Sequence, residues 1–223
     1  MTNILTQAEI THIEDQCNKY GITDYTINND GSVDVNGDVY LKHNGLTELP
    51  LVFNKVSGYF DCSYNELSSL YGSPRIVDDF DCSNNSLINL EGSPDVVTGI
   101  FICSDNNLTS LNGCPRNIGR SFSCASNYIK TLKGGPDRIN GYLNIKENEL
   151  TSLEGIPLGI DRISFAYNHK LPQDILLPYN KLDKELFIIF CKYYTHYDVF
   201  GNDGKIIEAK YKELIDDIED GLL

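Results

Sequence analysis

The residues with the most chemistry to offer are the cysteines: Cys17, Cys62, Cys82, Cys103, Cys114, Cys124 and Cys191. Four of them, Cys62, Cys82, Cys103 and Cys124, recur about every 21 residues. Such a column could suggest a metal or redox array. On stacked parallel strands, however, neighbouring sulfurs would lie about 5 Å apart, one strand spacing. That is too far for a disulfide without rearrangement. A structural zinc site needs four converging ligands, commonly supplied by paired Cys-x-x-Cys motifs, and no such pair occurs. The column therefore reads as small buried apolar side chains. Cys191 sits in Phe-Ile-Ile-Phe-Cys-Lys-Tyr-Tyr with no neighbouring acid or histidine to activate it. His196, five residues on, falls on another helical face.

The remaining candidates are weaker. Asn29-Asp30-Gly31 and Asn202-Asp203-Gly204 resemble pieces of a calcium loop. With Gly31 as the sixth position, Thr26 is first and Gly37 twelfth. With Gly204 there, Val199 is first and Lys210 twelfth. Neither frame supplies the carboxylates that such a loop requires, so both read as turns. The histidines His12, His43, His169 and His196 are scattered, and no Gly-x-Ser-x-Gly, phosphate-binding loop or dinucleotide fingerprint appears. The expectation is a protein without enzymatic activity, cofactor or metal.

Composition narrows the partners. The 223 residues carry a net charge of −14. That disfavours a direct grip on nucleic acid, which needs clustered Lys and Arg, and it favours solubility. No apolar run approaches a membrane span. The polar start of the chain and the unpaired thiols predict a cytoplasmic protein, with no membrane partner.

What positions these residues is a repeat. Aligned on the cysteines, one inward column is Leu41, Cys62, Cys82, Cys103, Cys124, Ile145 and Phe165. Two residues earlier stand Val39, Phe60, Phe80, Phe101, Phe122, Leu143 and Ile163. Three residues later stands an asparagine in every unit, from Asn44 to Asn168. Leucine columns and Gly-x-Pro complete each unit. Apolar-x-apolar predicts a short parallel strand with alternate residues inward. The asparagines could bond open backbone groups at the turn, and also one another. Gly and Pro bend the chain back. A fixed period of this size is the signature of a solenoid.

The pattern apolar-x-apolar-x-x-Asn-x-Leu-x-x-Leu, over residues 39–171, resembles a leucine-rich repeat. The short period resembles the type found in secreted effectors of pathogenic bacteria. The Cys-Ser-x-Asn-x-Leu phrasing with Gly-Ser-Pro most resembles leucine-rich-repeat proteins carried by bacteriophages. Gly-Ser-Pro departs from the Leu-Pro pair of the effectors, and Phe and Cys replace two strand leucines. The resemblance implies an α/β solenoid with a parallel strand stack, a mostly irregular convex side and helical caps. It also implies a host-directed role: engaging a host bacterial protein, including one in a defence system. Some effectors carry a ubiquitin-ligase domain, for which the residues after Leu176 leave little room.

The flanks read as caps. Residues 1–38 predict a helix followed by a hairpin: Thr6 and Glu9 have capping-box spacing, Ile10, Ile13 and Cys17 share a face, and Asn-Asp-Gly separates two alternating runs. The solenoid is expected over 39–176. Residues 177–223 predict two helices, roughly Leu182–Tyr197 and Lys205–Asp220.

Counting outward along the strands gives the candidate binding face. It comprises Tyr40, Tyr59, Asp61, Asp79, Asp81, Ile100, Ile102 and Tyr142, with Asp38 at its acidic end and Lys146 and Arg162 at its basic end. Residues 1–110 hold 16 acids and 4 bases, whereas 111–176 hold 6 acids and 8 bases. Outward tyrosines and isoleucines rimmed by acids predict a protein contact on a concave strand face. Two alternatives stay open: an acidic mimic of DNA, and an enzymatic or oligomerising activity in the C-terminal helices.

Overall fold

Thr6 starts the first helix, α1 (Gln7–Lys19), with its hydroxyl accepting from the Glu9 amide while the Glu9 carboxylate accepts from the Thr6 amide. Ile13 and Cys17 enter the core, and Gly21 turns the chain at a φ of +63°. The computed structural model describes residues 5–223. Next comes an antiparallel hairpin of β1 (Tyr25–Ile27) and β2 (Val33–Val35). β2 then pairs in parallel with β4 (Phe53–Asp61). The parallel stack therefore begins inside the segment expected to be only a cap.

The main ladder continues the stack through β3 (Val39–Tyr40), β4, β5 (Ile76–Asp81), β7 (Phe101–Ile102), β9 (Phe122–Ser123), β11 (Tyr142–Asn144) and β12 (Arg162–Ser164). Val39, Phe60, Phe80, Phe101, Phe122, Leu143 and Ile163 stand in register across it. The molecule is thus a parallel-strand β-solenoid with roughly 21 residues per turn and helices at its ends. The phenyl rings of Phe60, Phe80, Phe101 and Phe122 follow one another at 5.4–5.7 Å along its axis, and Phe53 meets Phe60 edge to face at 5.0 Å within one coil.

A second ladder lies where an irregular side was expected. It includes β6 (Val96–Val97), β8 (Asn117–Ile118) and β10 (Arg138–Ile139), and aligns Val35, Val56, Val77, Val97, Ile118 and Ile139, all buried. β6, β8 and β10 are two residues each with one inward position, too short for an alternating pattern to register.

The turn after each main strand holds a residue in the left-handed region. His43, Tyr64, Asn84, Asp105, Ser126, Glu147 and Tyr167 all have φ between +53° and +63°. This conformation costs about 1–2 kcal/mol for a residue with a Cβ, so something must hold it. The neighbouring asparagine does. Asn106 Nδ2 donates to the carbonyls of Cys82, Cys103 and Ser104, and its Oδ1 accepts from the Leu87 amide at 3.0 Å. Asn65, Asn85, Asn127 and Asn148 repeat the arrangement. The asparagines thus join successive coils through backbone groups rather than through one another.

Past β12 the chain forms α2 (Leu176–Lys181), α3 (Lys184–Tyr193) and α4 (Glu208–Glu219), three helices rather than two. Pro178 hid the first: a proline is tolerated in an opening turn, where the amides have no helical partner. Asp183 caps α3 by accepting from the Leu186 amide. Phe187, Phe190 and Tyr194 are buried, with the Phe190 ring against Phe187, Tyr194, Phe200 and Tyr211. In earlier coils the equivalent leucine amides donate to the following coil, Leu90 to the Asn112 carbonyl and Leu132 to the Glu154 carbonyl. The buried Leu153 has no following coil, and its amide donates to the Tyr194 hydroxyl instead, at 3.3 Å. Tyr194→Phe should therefore leave a buried donor unsatisfied and cost about 1–3 kcal/mol. Urea unfolding of the variant checks this, and an unchanged midpoint would show that the bond is idle.

Candidate functional site

The main ladder presents one outward face, and its side chains follow a rhythm of two coils. In alternate coils the first outward residue is short and polar: Asp38, Asp79 and Ser121. In the coils between it is large: Tyr59, Ile100 and Tyr142. Each short residue accepts the backbone amide of the large one beside it. Tyr59 N–H donates to Asp38 Oδ1 at 2.8 Å, Ile100 N–H to Asp79 Oδ1 at 2.6 Å, and Tyr142 N–H to Ser121 Oγ at 3.1 Å. A glycine precedes each large residue, and it leaves room for this bond. A Cβ on Gly58 would overlap Asp38 Oδ1, one on Gly99 would overlap Asp79 Oδ1, and one on Gly141 would press Ser121 Oγ.

The acids are tied into the face rather than left free. Asp79 also receives Arg120 Nη2 at 2.8 Å, reaching across the intervening coil over Gly99. Asp81 accepts from the Ser83 amide and from the Tyr59 hydroxyl. Asp38 accepts from the Tyr40 hydroxyl at 3.0 Å. Asp61 was expected outward as a binding carboxylate, but only 3% of its surface is exposed. It lies between Tyr40 and Asp81 on adjoining strands, takes the amide and hydroxyl of Ser63, and faces Lys42 at 3.7 Å. The serines Ser63, Ser83 and Ser104 are buried at outward positions in the same way.

Of the other expected residues, Tyr40 is exposed, while Tyr59, Asp79, Asp81, Ile100, Ile102 and Tyr142 are half-buried on one continuous surface. Tyr40 and Tyr59 meet edge to face at 6.0 Å, and the Arg162 guanidinium sits over the Tyr142 ring at 5.5 Å. Burial, then the carboxylates of Asp81 and Asp61, push the Tyr59 phenol well above its ordinary range. It is a fixed neutral hydrogen-bond donor at physiological pH. Arg120 was missed, because its role depends on a glycine in another coil.

Comparison of the chain with protein-family models, curated proteins and solved structures finds no match.

The thiols make no competing site. All seven cysteines are buried and unpaired. Cys62, Cys82 and Cys103 donate to the next coil's carbonyls of Asp81, Ile102 and Ser123 at 3.4–3.5 Å. Burial holds their protons on, raising Cys103 and Cys114 well above the usual thiol range and Cys124 to about 12. Because thiolate is the reactive form, the native protein should resist alkylation by iodoacetamide, whereas the denatured chain should take seven labels. Mass spectrometry of the labelled protein reads both states, and rapid native labelling of the repeat cysteines would contradict the burial.

A groove of about 800 Å³ lies elsewhere, between α1 and the turns at 48–52 and 69–72, lined by Ala8, His12, Leu49, Val52 and Tyr71 among others. Of its three carboxylates, Glu9 and Asp30 are already engaged by Thr6 and Ser32, and Glu48 is exposed.

Proposed function

We propose that the chain is a non-enzymatic protein-binding solenoid of the leucine-rich-repeat kind, and that its partner docks on the outward face of the main ladder. One observation carries the reading. Tyr40, Tyr59, Ile100, Ile102 and Tyr142 stand together on a sheet face, and the tyrosines are fixed by bonds or ring contacts within it. Rigid aromatic residues on a pre-organised surface are the usual anchors of protein interfaces. The phage-type phrasing of the repeat supports a protein of a bacterial host as the partner and an inhibitory role, in the cytoplasm of that host.

Mimicry of DNA is the weaker reading. It needs rows of free carboxylates, whereas Asp61 is buried and Asp79 is paired with Arg120.

The test is a triple variant, Tyr40→Ala with Ile102→Asp and Tyr142→Ala. None of the three side chains hydrogen-bonds from one coil to the next; Tyr40 and Tyr142 reach the neighbouring coil only through ring contacts. Capture of the partner from bacterial lysate should fall at least tenfold while the circular dichroism spectrum and melting temperature hold. Equal capture by the folded variant would overturn the proposal.

A further inference from the structure

We infer that the occupant of this face is a single amphipathic α-helix of about 19 residues, lying along the solenoid axis with its basic end over Asp38 and Asp81. The inference rests on the reading of the strand face as the docking surface.

Three features of the face lead to it. The first is its footprint. From the strand of Asp38 to that of Arg162 the ladder crosses six strand spacings, about 29 Å. Each strand shows two outward residues, such as 100 and 102, about 7 Å apart. A strip of that length and width matches one helix, which is about 10–12 Å across and rises 1.5 Å per residue. It is too narrow for the roughly 800 Å² per partner of a standard globular interface.

The second feature is the two-coil rhythm. Tyr59, Ile100 and Tyr142 are separated by two strand spacings, about 9.6 Å. Residues seven apart on a helix are separated by about 10.5 Å along its axis and share a face. Apolar side chains at i, i+7 and i+14 would therefore meet the three large residues in turn, within the reach of side-chain adjustment. The intervening coils present Asp79 and Ser121, which are short and leave room for the helix to settle. An extended segment could also place residues at this interval. Its main-chain groups would then face side chains, because the ladder's own amides and carbonyls are taken up between strands. A helix satisfies its own backbone.

The third feature is charge. Asp38 and Asp81 bond only to neutral groups, Tyr59 and Tyr40 for one and Ser83 and Tyr59 for the other. At the far end the Arg162 guanidinium rests on the Tyr142 ring rather than on an acid, and Lys146 forms no ion pair among the described residues. The face is acidic at one end and basic at the other, and complementarity fixes the helix's direction by its side-chain charges.

The experiment is selection of an unbiased library of 20-residue peptides on the full chain. The expected binders carry apolar residues at i, i+7 and i+14 with Lys or Arg grouped at one end. They should gain helical circular dichroism on binding and bind at least tenfold more weakly to Ile100→Asp. Tyr142→Ala serves as the second variant should Ile100→Asp fail to fold. Binders that lose affinity with these variants but stay extended, or lack the seven-residue spacing, overturn the helix and leave the face as the docking surface. Binders indifferent to both variants overturn the face as well. A selection that yields no binder overturns the helix as occupant.

Discussion

Asn106→Ala should cost about 3–5 kcal/mol, more than any surface substitution in the chain, because it strands several buried backbone groups at once. The Leu87 amide loses its acceptor, and the carbonyls of Cys82, Cys103 and Ser104 lose a shared donor. Leu87, Cys82 and Cys103 are fully buried, so water does not replace the amide. For a chain of this length the expected drop in melting temperature is about 10 °C. Asn106→Asp sharpens the test. At neutral pH a carboxylate would face three carbonyls, whereas the protonated acid can still donate to one. Its folded pKa is thereby raised above the unfolded value of about 3.9. The acid's contribution is fully present below that unfolded value and is lost as pH rises through the folded pKa. Measured relative to the parent chain, Asn106→Asp should be closest in stability at about pH 3–4 and furthest at pH 7. A pH-independent difference would mean that the carbonyls are satisfied in some other way.

That asparagine column was legible because it obeys the period. The phenylalanine and cysteine columns were too, and the structure places them where counting by 21 puts them. What counting missed is set by neighbours rather than by letters. Alternation puts Asp61 outward, and it is outward. It is nonetheless covered, because burial on a sheet face depends on the size of what stands on the adjoining strands, here Tyr40 and Asp81. Gly58, Gly99 and Gly141 are visible in the sequence as glycines in alternate coils. Their use, making space for an acceptor from the preceding coil, appears only once the register between coils is known. The valine column of the second ladder is as regular as the phenylalanines. It stayed hidden because β6, β8 and β10 offer a single inward residue each, too little for alternation within a strand to mark them. At the far end, Pro178 reads as a breaker until the helix is seen to begin just before it.

Phe101→Ala is expected to cost about 3–5 kcal/mol, the range for removing a large buried aromatic side chain. It should also change the form of the unfolding transition. Phe101 is fully buried between Phe80 at 5.4 Å and Phe122 at 5.7 Å, so its loss empties two inter-coil contacts rather than one. In a solenoid, stability is close to a sum of units and nearest-neighbour contacts, and cooperativity runs through those contacts. A cavity at the middle of the stack should weaken the coupling between the half bearing α1 and the half bearing α3. The single transition expected of the parent chain should broaden or split in two. Phe101→Leu is the control, because Leu143 and Ile163 already occupy the same column, so the site accepts an aliphatic side chain. It should cost less than about 1.5 kcal/mol and keep one transition. Calorimetry of both variants decides the matter. If Phe101→Ala melts as sharply as the parent at a lower temperature, the coils are held together by the asparagine and backbone bonds alone, and the aromatic stack only fills space.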